Sequence, residues 1–121
     1  MSGMILKRTC MALDLQNDEK LIAVYEQYHQ PGRIWPEIPK GIRDAGIADM
    51  QIHRIGTRLF MVVDYNGNTN LKEAFGKMGT MPRQEEWAVL MDGFQKQLPE
   101  AQEGEHWATM KPVFLLNDHI G

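Results

Sequence analysis

Two alternating runs near the middle of the chain, Met50–Ile55 and Arg58–Tyr65, are separated only by Gly56-Thr57. Successive strand residues point to opposite faces, and a two-residue connection opening on glycine folds such runs back as an antiparallel hairpin. The fold must therefore be built around a central hairpin. Upstream, Arg8–Gln16 alternates in the same way. Thr9, Met11, Leu13 and Leu15 point to one side, and Arg8, Cys10, Ala12, Asp14 and Gln16 to the other. Val113–Leu116 reads as a short closing strand. Between these runs the apolar period changes to that of helices. Asn17 and Asp18 offer a cap for a helix running to about His29, with Leu21, Tyr25 and Tyr28 on one stripe. Pro31-Gly32 ends it, and a second helix begins near Trp35-Pro36 and closes before Gly46. Asn66–Asn70 is a loop leading into a short helix through Phe75. Pro82 opens a further helix whose buried stripe is Trp87, Leu90, Met91 and Phe94.

The resulting order, β-αα-β-β-αα-β, predicts an α+β domain spanning residues 1–121. It suits a ferredoxin-like βαββαβ sheet with its helices on one face. The uncovered face would carry Arg8 and Asp14, too mixed for pure solvent surface and too polar for pure core. A second copy packed against it, enclosing a polar cavity, resolves that tension, so the expected assembly is a symmetric homodimer.

Charge narrows the function. Thirteen basic residues against 16 acidic ones leave a net charge of −3, which is not the basic footprint that nucleic acid or an anionic membrane selects. The longest apolar runs, Leu59–Val63 among them, fall far short of the ~20 residues of a membrane span. The N-terminus carries no apolar stretch of signal-peptide type, and the expected location is the cytoplasm. Met4 offers a second start, and the first three residues look dispensable to the fold. Cys10 is the single cysteine, giving no disulfide and no zinc framework.

Several residues can carry chemistry. Tyr25 and His29, four apart, share one helix face about a turn apart. Histidine is the usual proton carrier near neutral pH, and a neighbouring tyrosine can orient a hydroxylated ligand. The alternative is a core tyrosine beside a histidine that caps the helix end. Trp35-Pro36-Glu37 reads as an aromatic anchor plus a helix start, while the tryptophan also offers a flat face of the kind sugars stack on. In the hairpin, Gln51 and His53 share one strand face, and Arg58 and Asp64 share a face of the next strand. These groups fit either a polar cavity or surface ion pairs. Trp87 and Trp107 are core anchors, Trp87 the better placed to line a pocket. Glu103, Glu105 and His106 form at most a weak metal cluster, without the HxH or HExxH spacing; no metal and no cofactor is expected.

Tyr25-x-x-x-His29 followed by Ile34-Trp35-Pro36-Glu37 resembles the N-terminal signature of the L-rhamnose mutarotase family. The likeness extends through Gly46, the Arg58-Leu59-Phe60-Met61 strand, Trp87 with Leu90-Met91, and Val113-Phe114. It implies a small dimeric α/β barrel that interconverts the α and β anomers of a monosaccharide without a cofactor. It further implies His29 as the proton donor and Tyr25 as a sugar contact. Where the family has paired tryptophans the chain has Glu86-Trp87, so only Trp87 carries over. Met50 stands at a hairpin tyrosine of the rhamnose enzymes, and two extra residues lengthen the turn before Trp35. The run Ile52–Asp64 is closer to the branch associated with L-fucose. The expected site is therefore His29 as catalytic acid, with Tyr25, Trp35, His53, Asp64 and Trp87 around a 6-deoxy-L-sugar. The second acid/base group stays open among Asp14, His53 and Asp64.

Two other readings compete. A cofactor-independent monooxygenase or cyclase of the same barrel type calls for a cavity lined by Met, Phe and Leu. A non-catalytic sugar-binding protein predicts affinity without anomer exchange.

Overall fold

The computed structural model describes residues 5–119; the first three residues and Met4, discussed above, lie outside them. Strand β1 (Leu6–Leu15) is followed by helices α1 (Glu19–Tyr28) and α2 (Glu37–Asp44). The hairpin β2 (Ile47–Ile55) and β3 (Arg58–Asn66) comes next, then helices α3 (Leu71–Gly79) and α4 (Gln84–Asp92). Two short strands, β4 (Gln95–Lys96) and β5 (Ala108–Thr109), and a 3-10 turn at Leu116–Asp118 complete the chain.

Local chemistry sets most of these boundaries. The Asp18 carboxylate accepts from the Lys20 and Leu21 amides at 2.9 and 3.1 Å and starts α1. Asn70 does the same for α3 through the Lys72 and Glu73 amides. Gly56 supplies the positive φ of 58° that the two-residue hairpin connection needs. The expected helix through Phe75 runs on to Gly79, and the second strand begins at Ile47 rather than Met50.

The sheet order is β2-β3-β1-β4, with β5 also paired to β1, and every pairing is antiparallel. Two split βαβ units interleaved in this way are the predicted ferredoxin-like arrangement. Directly paired residues share a face, so the register sorts the sheet. Leu13↔Leu59, Met11↔Met61 and Ile52↔Met61 point inward, while Asp14↔Arg58, Arg8↔Asp64 and His53↔Phe60 point outward. All four helices contribute to the inward side. Ala74 of α3 packs with Met11, Ile47, Met61 and Val63. Tyr25 of α1 and Met91 of α4 pack with Leu15, Leu59 and Phe94, and partly buried Ile42 of α2 joins the first cluster.

The chain end differs from expectation. Residues 113–115 form no strand, and Val113 and Phe114 are 95% and 65% exposed. The free edge of β1 is taken instead by β4 and β5, with the Met110 amide donating to the Cys10 carbonyl at 2.8 Å. Strand propensity in Val113–Leu116 finds no partner edge among the described residues, and propensity without a partner does not make a strand.

Candidate active site

Between the helices and the inward face of the sheet lies an open cleft of about 1700 Å³. Its walls include Met11, Ile52, Met61 and Met91, with Tyr25 and His29 from α1, Trp87 from α4 and Gln95 from β4. The usual small-molecule site has this character, apolar walls with a few converging polar groups.

His29 is the C-cap of α1, and its Nδ1 lies 2.7 Å from the Tyr25 carbonyl oxygen. A carbonyl can only accept, so Nδ1 carries the hydrogen and donates. That bond occupies one of the orphan carbonyls at the helix end and leaves Nε2 with its lone pair free. One ring nitrogen thus ties His29 to the helix end, while the other makes no hydrogen bond among the described residues. Burial pushes the His29 pKa below its usual value, partly offset by the bond to Tyr25. The imidazole is thus neutral near pH 7, and Nε2 is able to accept a proton.

Tyr25, 4% exposed, lies against His29 with ring centroids 4.4 Å apart. Burial pushes its phenol up to about 12, so the hydroxyl keeps its proton. The neighbouring Gln95 side chain works against that rise. Trp87 meets the His29 ring edge-on at 5.3 Å. Trp35 stands behind Trp87, at 5.2 Å and 69°, and is not part of the cleft wall. Its other face is covered by the Arg83 guanidinium at 3.8 Å from the ring centroid. Arg83 holds a left-handed φ of 62°, a conformation that costs a non-glycine residue about 1–2 kcal/mol. Cation–π stacking on Trp35 and the ion pairs to Glu37 and Glu86 offset that strain.

Of the six residues singled out in the sequence, Tyr25, His29 and Trp87 meet in the cleft, and Trp35 buttresses it. His53 and Asp64 do not join them, because strand parity turns both to the outward face. There His53 Nε2 bonds the Gln51 side-chain oxygen at 2.9 Å. Asp64 accepts two bonds from Arg8 at 2.7 and 3.0 Å, which hold its carboxyl below the usual range. Asp14 is paired with Arg58 at 2.5 Å on the same outward face. The polar strand residues thus make surface ion pairs, and the cleft lies on the other side of the sheet from the cavity expected there. Glu103, Glu105 and His106 also line the cleft, and two of them are engaged in hydrogen bonds. Glu105 accepts from Thr109 and from the Gln102 amide, and His106 bonds Gln95.

Sequence reasoning missed Gln84 and Gln95. Gln84 is 6% exposed and donates to the Glu37 and Ile38 carbonyls, tying α4 to α2. Gly41 makes room for it, since a Cβ there would stand 2.5 Å from its amide nitrogen. The available signal was period: both glutamines extend the Trp87–Leu90–Met91–Phe94 stripe at its two ends, and a polar residue on an apolar stripe needs a partner.

The L-rhamnose mutarotase family model matches residues 8–116. An L-fucose mutarotase of Xanthomonas campestris pv. campestris is 36% identical over 117 residues, 97% of this chain and 94% of that protein. A UPF0734 protein of Dictyostelium discoideum is also 36% identical, over 92% of this chain and 90% of its own length. In three dimensions the chain resembles the crystal structure of an L-rhamnose mutarotase from Formosa agariphila, with a TM-score of 0.64 at 17% identity, covering 90% of this chain and 97% of the other. That likeness speaks for the fold, while the sequence matches, which run nearly end to end, place this chain in the L-rhamnose mutarotase family.

Proposed function

We propose that the protein is an aldose mutarotase that interconverts the α and β anomers of a 6-deoxy-L-sugar, with L-fucose preferred. The observation that carries the chemistry is the fixed tautomer of His29, a residue of the wall of a largely apolar cleft whose Nε2 keeps its lone pair. His29, expected above as the proton donor, is neutral here and first takes the proton of the anomeric hydroxyl, while a second group protonates the ring oxygen and the C1–O5 bond opens to the aldehyde. Rotation about C1–C2 and reversal of both transfers closes the other anomer with no net change in protons. Each positioned acid or base contributes about 10²–10⁴-fold. The family assignment supports a mutarotase, the 36% identical L-fucose mutarotase supports the sugar, and Trp87 with the methionine walls suits the apolar face around a C6 methyl.

The test is saturation-transfer proton NMR on L-fucose, L-rhamnose and D-glucose. Faster exchange for L-fucose than for the others is expected. Acceleration of L-rhamnose alone would change the substrate, and binding without acceleration would make the protein a sugar-binding one.

The pH dependence follows from His29. Its pKa lies below the ordinary value of about 6.5, so the base stays neutral as pH falls through that value. Activity should persist to below pH 6.5 and be lost only as His29 itself protonates. An acid limb in kcat/KM centred at or above 6.5 would contradict the buried, neutral base.

The same reading includes a homodimer formed through the outward sheet face. Partly buried Cys10, Phe60 and Val62 lie there, and the exposed apolar run Val113–Leu116 is available to cover a neighbour. Sedimentation should return twice the 13.9 kDa chain mass; a particle of one chain mass would rule this out. No described helix is long and apolar enough to cross a membrane, and the proposed location is the cytoplasm.

A further inference from the structure

Position 83 breaks two local rules at once. Arg83 is the N-cap of α4 and makes no side-chain capping bond. It is also the one non-glycine residue with a positive φ among the described residues, at 62°. Glycine or asparagine would suit that backbone, and asparagine would cap the helix as well. Backbone strain of this kind persists where the surroundings over-determine it, and it gathers at functional sites. What the strained turn provides is a place for the guanidinium on Trp35, 3.8 Å from the ring centroid. The ion pairs of Arg83 to Glu37 and Glu86, at 3.8 and 3.6 Å, are too long for hydrogen bonds. The indole face, and not a carboxylate, therefore fixes the guanidinium.

Trp35 stands between two spaces. Trp87 lines the cleft, and neither Trp35 nor Arg83 does. An outer groove beside α4 is lined by Tyr28, Trp35, Glu86 and Val89, and not by Trp87. The Trp87 indole meets three rings edge-on: Tyr28 at 6.1 Å, His29 at 5.3 Å and Trp35 at 5.2 Å. Tyr28 and His29 end α1, and Trp35, from the turn before α2, supports the indole from the groove side. Arg83 and Trp87 are four residues apart, and the Trp87 amide donates to the Arg83 carbonyl at 3.0 Å. The first turn of α4 therefore holds Trp35 with both side chains. We propose that Arg83 and Trp35 are positioning residues: the stacked pair holds Trp87 against the His29 ring and so fixes the imidazole in the cleft wall. The clasp serves proton transfer at His29 in either direction, because it sets where the ring stands and not which way the proton moves.

The inference rests on the mutarotase reading for its effect on rate, so its test has one arm that does not need turnover. Arg83→Asn suits both the left-handed backbone and the cap, and it should fold as the wild type does. The His29 ring-proton resonances, assigned with His29→Ala, should shift in Arg83→Asn as the Trp87 ring moves, while those of His53 and His106 stay in place. Trp35→Leu should shift them too, and adding Arg83→Asn to Trp35→Leu should change nothing further, because the arginine acts through the indole. Unmoved His29 resonances in either single variant, or additive shifts in the double one, overturn the inference whatever the sugar. An Arg83→Asn chain that does not fold overturns it as well, since Arg83 would then belong to the framework. In the activity arm, Arg83→Asn should lower kcat for L-fucose exchange roughly tenfold with a smaller change in KM, the cost of a misplaced group. Arg83→Lys, which keeps a cation over the ring, should recover part of that loss. A change confined to KM, or exchange at the wild-type rate, overturns the positioning role. If wild-type protein accelerates no sugar while the His29 resonances respond as expected, the failure belongs to the mutarotase reading and the clasp stands.

Discussion

His29→Ala should reduce anomer exchange by about 10²–10⁴-fold, the contribution of one positioned acid/base group, and leave a folded protein. The structural side of the expectation follows from what His29 holds. Its ring is only half-buried, and its one intramolecular hydrogen bond is to the Tyr25 carbonyl, worth about 1 kcal/mol net. That loss is small against the roughly 5–15 kcal/mol by which domains of this size are stable. The measurement pairs the exchange rate with a urea melt of the same sample. Exchange at the wild-type rate would remove His29 from the chemistry and leave it as a helix cap. Loss of exchange together with loss of the folded baseline would show that the site cannot form without the imidazole.

Leu59→Ala should destabilise the protein by about 2–5 kcal/mol, the range for truncating a fully buried leucine. Leu59 is 1% exposed, sits opposite Leu13 in the central pair of strands, and packs with Leu15, Tyr25, Met91 and Phe94. It is the floor on which the Tyr25 side chain rests, so the same substitution links stability to function. The urea midpoint should fall with the slope unchanged. Exchange measured well below that midpoint should fall as well, because a cavity beside Tyr25 loosens a side chain of the cleft wall. A midpoint shift worth less than about 1 kcal/mol would mean that this part of the core collapses to fill the space.

The polar strand residues teach where reading by pattern stopped. Arg58, Asp64 and His53 fall on one parity along their strands, and the alternation was legible. Their assignment to a cavity was not, because parity says which residues share a face and not which face the helices cover. The outward pairs Arg8–Asp64 and Asp14–Arg58 are cross-strand ion pairs, and the cleft lies behind Met11, Ile52 and Met61 instead. Walls of this kind are what a monooxygenase-type barrel calls for, so the lining alone does not separate that reading from a mutarotase. What decides between the two readings is the family match over residues 8–116.

The sequence by itself determined the features that depend on neighbours a few residues apart. Helix period places Tyr25 and His29 on one face, Asp18 and Asn70 cap the helices that follow them, and Gly56 closes the hairpin. Interactions of that range are written in spacing and residue type, and the fold class follows from their order. The tertiary structure alone decided contacts between distant segments: β4 and β5 taking the edge of β1, Gln84 reaching back to α2, and His106 closing on Gln95. Such contacts depend on which chain segments compete for the same edge or space. Local propensity carries no information about that competition, and so Val113–Leu116, with the composition of a strand, lies outside the sheet.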